Sequence, residues 1–234
     1  MCVALIKNKN VDLPNEDILK ICFKNNPDGA GFAYCRNGNI VIHKGFFTFD
    51  GFYKALKDAK ISTEESALIH FRVATHGKIN IENCHPFPIT DKFSKMTNPF
   101  SENNTSVMVH NGKLNINITS SIYSDSMHFA KTLFEFDRQN NKSFIDYIIR
   151  PTSKNKRGNR IGILNIDGTT EKYGVGWIED NGIFYSNDSY KENSTYKGVK
   201  KTTKKTKTTA CKTFTENNPF GQMHLVNGVL MFGD

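Results

Sequence analysis

Apolar positions along this chain change their period several times, and each change marks an element. Residues 2–7 form a short apolar run, which predicts a buried first strand. Pro14-Asn15-Glu16-Asp17 then opens a helical pattern, with Ile18, Leu19, Cys22 and Phe23 on one face and acids in the first turn. Asn26-Pro27-Asp28-Gly29 ends it. Around Arg36-Asn37-Gly38 the pattern alternates from Gly29 to Ile42, as in a hairpin with an Asn-Gly turn. Gly29 and Gly31 within it imply that another group comes close to the backbone. Phe49, Phe52, Tyr53 and Leu56 fall at helical spacing and predict a second helix over 49–59.

Ser66-Ala67-Leu68-Ile69-His70-Phe71-Arg72-Val73 reads as a buried strand that carries an arginine. Such an arginine either pairs with an internal acid or waits for an anionic ligand, because a guanidinium is almost never buried alone. Residues 83–88 read as a proline-punctuated loop in which His85 could be structural. Val107 to His110 forms a strand that ends abruptly at Asn111-Gly112, and Ser124-Asp125 caps a helix running to about Phe136. A further helix is expected over 142–149 and short strands over 160–166, 172–177 and 182–186. Beyond Asn187 the pattern dissolves, until Met223 to Val226 and Val229 to Phe232 flank Asn227-Gly228 as a hairpin.

Composition narrows the class. The 234 residues suit one domain with an appendage, and no apolar run approaches the roughly 18–20 residues of a membrane span. A short Val3–Ile6 run without a basic lead is no secretory signal, so a cytoplasmic location is expected. Five cysteines without Cys-x-x-Cys spacing argue for reduced thiols rather than a disulfide framework or a zinc site. The formal charge is +8, but seven lysines lie within 197–212, where there is no acid, so the rest of the chain carries 8 − 7 = +1. That segment lacks interleaved aromatics and reads as a solvated linker rather than a nucleic-acid site.

Chemistry enters at Met1-Cys2. Removal of Met1 would leave Cys2 with both a thiol and a free α-amine, a nucleophile and a base on one residue. Three other motifs follow in order: His70-Phe71-Arg72-Val73-Ala74-Thr75-His76-Gly77, Asn83-Cys84-His85-Pro86, and His110-Asn111-Gly112 with Ser124-Asp125 downstream. The ordered set resembles the class II glutamine amidotransferases. That resemblance covers about residues 2–186 and implies an α+β fold, a four-layer αββα sandwich of two antiparallel sheets of the N-terminal-nucleophile hydrolase type.

Carried onto this chain, the resemblance implies Cys2 as nucleophile with its amine as base, and Asn111 and Gly112 as the oxyanion hole. Arg72 would hold the α-carboxylate of glutamine and Asp125 its α-ammonium group. Thr75 and His76 would line the pocket, His76 being equally open to a structural role. Glutamine would be hydrolysed through a γ-glutamyl thioester to glutamate and ammonia, with no metal or organic cofactor. Val3 stands where that family has glycine, Val73 replaces a larger residue, and the interval from Gly112 to Asp125 is short. The expected organisation is an amidotransferase domain over 2–186, a lysine/threonine-rich linker over 187–216 and a docking hairpin over 217–234. Ammonia would pass to an acceptor on a synthase partner. The competing readings are an amide hydrolase of the same fold with another substrate, which an Arg72 and Asp125 clamp disfavours, and a catalytically silent binding domain whose basic segment meets nucleic acid or an acidic partner.

Overall fold

A computed structural model describes residues 2–74, 78–114, 116, 122–135, 145–150, 158–192, 222–226 and 229–233. The chain is α+β, and its described strands form two larger antiparallel sheets and one hairpin. The larger sheet has seven strands: β1 (Val3–Lys7), β2 (Ala30–Arg36), β3 (Asn39–Phe46), β4 (Ala67–Phe71), β6 (Phe100–Asn103), β10 (Ile178–Asp180) and β11 (Ile183–Tyr185). Their order across the sheet is β10-β11-β1-β4-β2-β3-β6. The smaller sheet runs β5-β7-β8-β9, from Phe87–Pro88, Val107–Asn111, Arg160–Leu164 and Thr170–Tyr173.

Side-chain alternation decides what each face meets. In β1, Val3 and Leu5 point to one side with Phe32, Tyr34, Ile69 and Phe71, where helices α1 (Glu16–Asn25) and α2 (Phe49–Asp58) bury Leu19, Cys22, Phe52 and Leu56. Ala4 and Ile6 point to the other, onto Val107, Val109 and Leu164 of the smaller sheet. That sheet turns Met108, Ile161 and Ile163 outward against α3 (Phe93–Met96) and α4 (Asp125–Glu135), through Met96, Met127, Phe129 and Leu133. Each fully buried Leu, Ile or Phe of these layers contributes roughly 1.5–3 kcal/mol. Helices, sheet, sheet, helices is an order compatible with the expected sandwich.

Local chemistry sets the ends of the elements. Asn15 caps α1 by accepting from Ile18 N–H at 2.9 Å, and Thr48 caps α2 through Gly51 N–H at 3.3 Å. Asn37 and Gly38 both have positive φ, 52° and 75°, as the expected Asn-Gly hairpin requires.

Several boundaries differ from the sequence reading. Strand β4 ends at Phe71, so Arg72 lies just beyond the strand rather than inside it. The loop expected over 83–88 ends in a two-residue strand, β5, and α3 and β6 carry no period long enough to announce them. The strand expected over 172–177 is Thr170–Tyr173, because Gly174 and Gly176 turn the chain away with φ of 88° and 82°. Ile178–Asp180 is an additional strand. Packing continues past residue 186: Tyr190 stacks on Tyr185 at 3.8 Å, and Asn25 donates to the Ser189 carbonyl. Helix is described at 145–149, and the rest of the expected 142–149 helix lies outside the described residues, as do 193–221. Strands β12 (Gln222–Val226) and β13 (Val229–Gly233) pair as the expected C-terminal hairpin.

Candidate functional site

Strand β1 lies inside the larger sheet, between β11 and β4, and so carries Cys2 into the fold. The residues just after β11 hold it there. Asn187 Nδ2 donates to the Cys2 carbonyl at 2.7 Å, and Ala4 N–H donates to Ser186 Oγ at 2.8 Å. The Cys2 thiol rests on the backbone of Val73, accepting its N–H at 3.3 Å and facing its carbonyl at 3.5 Å. Burial pushes the thiol up; the Val73 N–H and the positive field of Arg72 act in the opposite direction.

Arg72 is 4% exposed. Its backbone extends the β2–β4 pairing by one step, donating to the Gly29 carbonyl at 2.7 Å and accepting Asp28 N–H at 2.9 Å. The Asp28 carboxylate then takes Ala74 N–H at 2.9 Å, so the chain leaving Arg72 is fixed on both sides. The guanidinium donates through Nη1 to the Lys78 carbonyl at 2.8 Å. Thr75 and His76 lie outside the described residues.

Asn111 closes β7 opposite Arg160 and is 1% exposed. Its Nδ2 donates to Ser186 Oγ at 2.9 Å, the same hydroxyl that takes Ala4 N–H, so one serine ties both sheets together beside Cys2. Asn111 Oδ1 is buried with no hydrogen-bond partner among the described residues. Gly112 turns at φ 147°, and a Cβ there would lie 2.1 Å from Asn159 Oδ1, so only glycine fits.

Asp125 begins α4, with Ser124 Oγ capping the helix through Met127 N–H at 3.3 Å. The carboxylate accepts Leu114 N–H through Oδ2 and Ser126 N–H through Oδ1, both at 2.9 Å, and thereby pins the segment that follows Gly112. The Cys2 thiol therefore rests on the residue next to Arg72, Asn111 shares Ser186 with Ala4, two residues from Cys2, and Asp125 holds Leu114, two residues after Gly112.

Sequence reasoning missed two polar residues of this region and gave no role to three histidines beyond a structural one for His85. Ser186 and Asn187 sit at the end of a short strand with no pattern of their own. His70, His85 and His110 are all buried, with ring centroids 4.1 Å apart for His70 and His85 and 6.5 Å for His85 and His110. Neither ring nitrogen of His85 has a partner among the described residues, and His70 Nδ1 has none. Burial keeps these imidazoles neutral, pushing His70 down to about 3. Gly31 explains why β2 carries glycine: a Cβ there would meet the His85 carbonyl at 2.2 Å.

Lys44 is 3% exposed, donates to the Glu82 carbonyl at 3.3 Å and to the Met96 carbonyl, and lies over the Phe87 ring at 4.5 Å. Burial pulls its ammonium down to about 7, against the opposing charges of Cys84 and Glu82. Among the described residues no group of three or more His, Cys, Asp or Glu side chains could hold a metal ion. No described helix is long and apolar enough to cross a membrane. Compared with known proteins, the sequence matches no family model and no curated protein.

Proposed function

We propose that the chain is a glutamine amidotransferase subunit of the N-terminal-nucleophile hydrolase type, with Cys2 as its nucleophile once its amine is free. The observation that carries this reading is the Cys2 thiol held against Val73 N–H, one residue from the buried Arg72. In this mechanism the freed amine takes the thiol proton, and the thiolate attacks the side-chain carboxamide of glutamine. The tetrahedral oxyanion is met by the Asn111 amide and Gly112 N–H, and ammonia leaves with the proton. Water then hydrolyses the thioester to glutamate. Arg72 takes the α-carboxylate and Asp125 the α-ammonium group, a clamp that selects a free amino acid. Ammonia passes to an acceptor bound by a partner protein.

Two measurements on the purified chain test this. Intact mass reports removal of Met1, and a diazoketone analogue of glutamine reports the nucleophile without requiring turnover. The expected result is one covalent adduct on Cys2, protected by glutamine and lost in Cys2→Ala, together with glutamate formation. A Met1-free chain that neither binds the analogue nor consumes glutamine rules the reading out.

A further inference from the structure

Away from Cys2, on the helix-covered face of the larger sheet, α2 leaves β6 open. Between them lies a hollow of about 520 Å³ floored by Tyr34, Val41 and His43. Ala55 and Ala59 of α2 form one wall and fill little of it, and Phe100 and Glu102 of β6 form the other. Phe100 is 57% exposed, which is unusual for a ring on a strand of the main sheet. None of Cys2, Arg72, Asn111 or Asp125 lines this space.

Most of its charges are already paired. Arg36 grips Glu65 through Nε and Nη2 at 2.5 and 3.0 Å, with Nη2 also on the Ala59 and Lys60 carbonyls. Asp58 holds Lys54 at 2.6 Å. What remains is Glu102, which stands across from Val41 and whose carboxylate has no hydrogen bond or ion pair among the described residues. His43 remains as well. Its ring stacks on Phe32 at 4.8 Å, receives the edge of Phe100 at 4.9 Å and makes no hydrogen bond among the described residues. Burial holds its imidazole below the usual range, so it offers a lone pair.

A carboxylate, a neutral imidazole nitrogen and an exposed aromatic ring attract the same guest, a cation that carries N–H bonds. An anion would find no unpaired cation here, and a purely apolar guest would strip water from Glu102 without replacing it. We infer that this hollow binds an organic ammonium or guanidinium group on an apolar stem, the head between Glu102 and His43 and the stem along Phe100 and Val41. The volume suits a small organic molecule. The same chemistry is offered by a free amine or guanidine and by a lysine or arginine side chain of a peptide.

The test titrates the full chain with butylguanidinium, with a capped arginine tripeptide and with uncharged butylurea, following the His43 and Phe100 ring resonances. Butylguanidinium should saturate these shifts at roughly millimolar concentration, and butylurea should not. Glu102→Gln and Phe100→Ala should each weaken binding roughly three- to tenfold. Binding of the free cation without the peptide assigns the site to small amines, and the reverse assigns it to a protein segment. Equal binding of butylurea, an affinity unchanged in Glu102→Gln, or no shift with either cation overturns the inference.

Discussion

Asn111 and Ser186, 75 residues apart in the chain, meet at 2.9 Å, and the serine hydroxyl simultaneously accepts Ala4 N–H at 2.8 Å. One small side chain thus joins the end of β7 in one sheet to β1 in the other. Ser186→Ala removes both bonds and leaves a buried amide group unpaired on each side. It should cost about 1–3 kcal/mol in urea unfolding and, on the proposed reading, lower glutamine hydrolysis by moving Asn111.

Asn111→Ala also removes the bond to Ser186, and its kinetics test the chemistry. If its amide meets the oxyanion, kcat should fall roughly 10²–10³-fold while the KM for glutamine changes little. Steady-state kinetics on the Met1-free chain decides it; a rise in KM at unchanged kcat would put Asn111 in ground-state binding instead.

Arg72→Lys should act in the other direction. A lysine keeps the charge but loses the planar fork, so on the proposed reading KM for glutamine should rise by about tenfold or more. A variant with wild-type KM would remove Arg72 from the carboxylate site.

Gly112→Ala places a side chain where φ is 147° and a Cβ would meet Asn159 Oδ1 at 2.1 Å. The expected loss is roughly 2–5 kcal/mol, from backbone strain plus displacement of Asn159. Because Asn159 Oδ1 also lies 3.0 Å from His110 Nε2, the His110 side-chain resonances should shift in the same variant.

Lys44 gives a pH dependence of definite sign. Its folded-state ammonium is depressed to about 7 from an ordinary 10.5, so above about pH 7 the unfolded chain binds the extra proton. Stability should therefore rise as pH increases from about 7 towards 10.5 and be lost as pH falls back through that window. Lys44→Met removes this contribution, so the stability difference between wild type and variant, read by urea unfolding, should move in favour of wild type as pH rises.

The buried first strand was legible as an apolar run, and Asn37-Gly38 names its own turn, whereas the layering was only what the resemblance implied: a run such as Val3–Ile6 is apolar on both faces and does not say which layer each face meets. What stayed hidden depends on pairing across long intervals. Phe100–Asn103 is too short and too polar to read as a strand and forms because β3 offers its open edge. In the candidate site, Cys2, Arg72, Asn111, Gly112 and Asp125 could be singled out by motif, and the structure shows Val73, Ser186 and Leu114 bonded to Cys2, Asn111 and Asp125 in turn. Ser186 and Asn187 could not be found that way, since their importance comes from where β11 ends rather than from any local pattern. The sequence left Arg72 between an acid and a ligand; its Nη1 proved to meet a backbone carbonyl, that of Lys78.

The clasp of Asn187 on the Cys2 carbonyl spans 185 positions of the chain. During synthesis the sulfur leaves the ribosome 185 residues ahead of its anchor, so the thiol waits outside any finished pocket while that interval is made. Closing so large a loop is slow compared with forming local turns. A nascent chain arrested before β11 should therefore react with thiol reagents at Cys2 as freely as an unstructured peptide, and protection should begin only when the last strand of that sheet has docked.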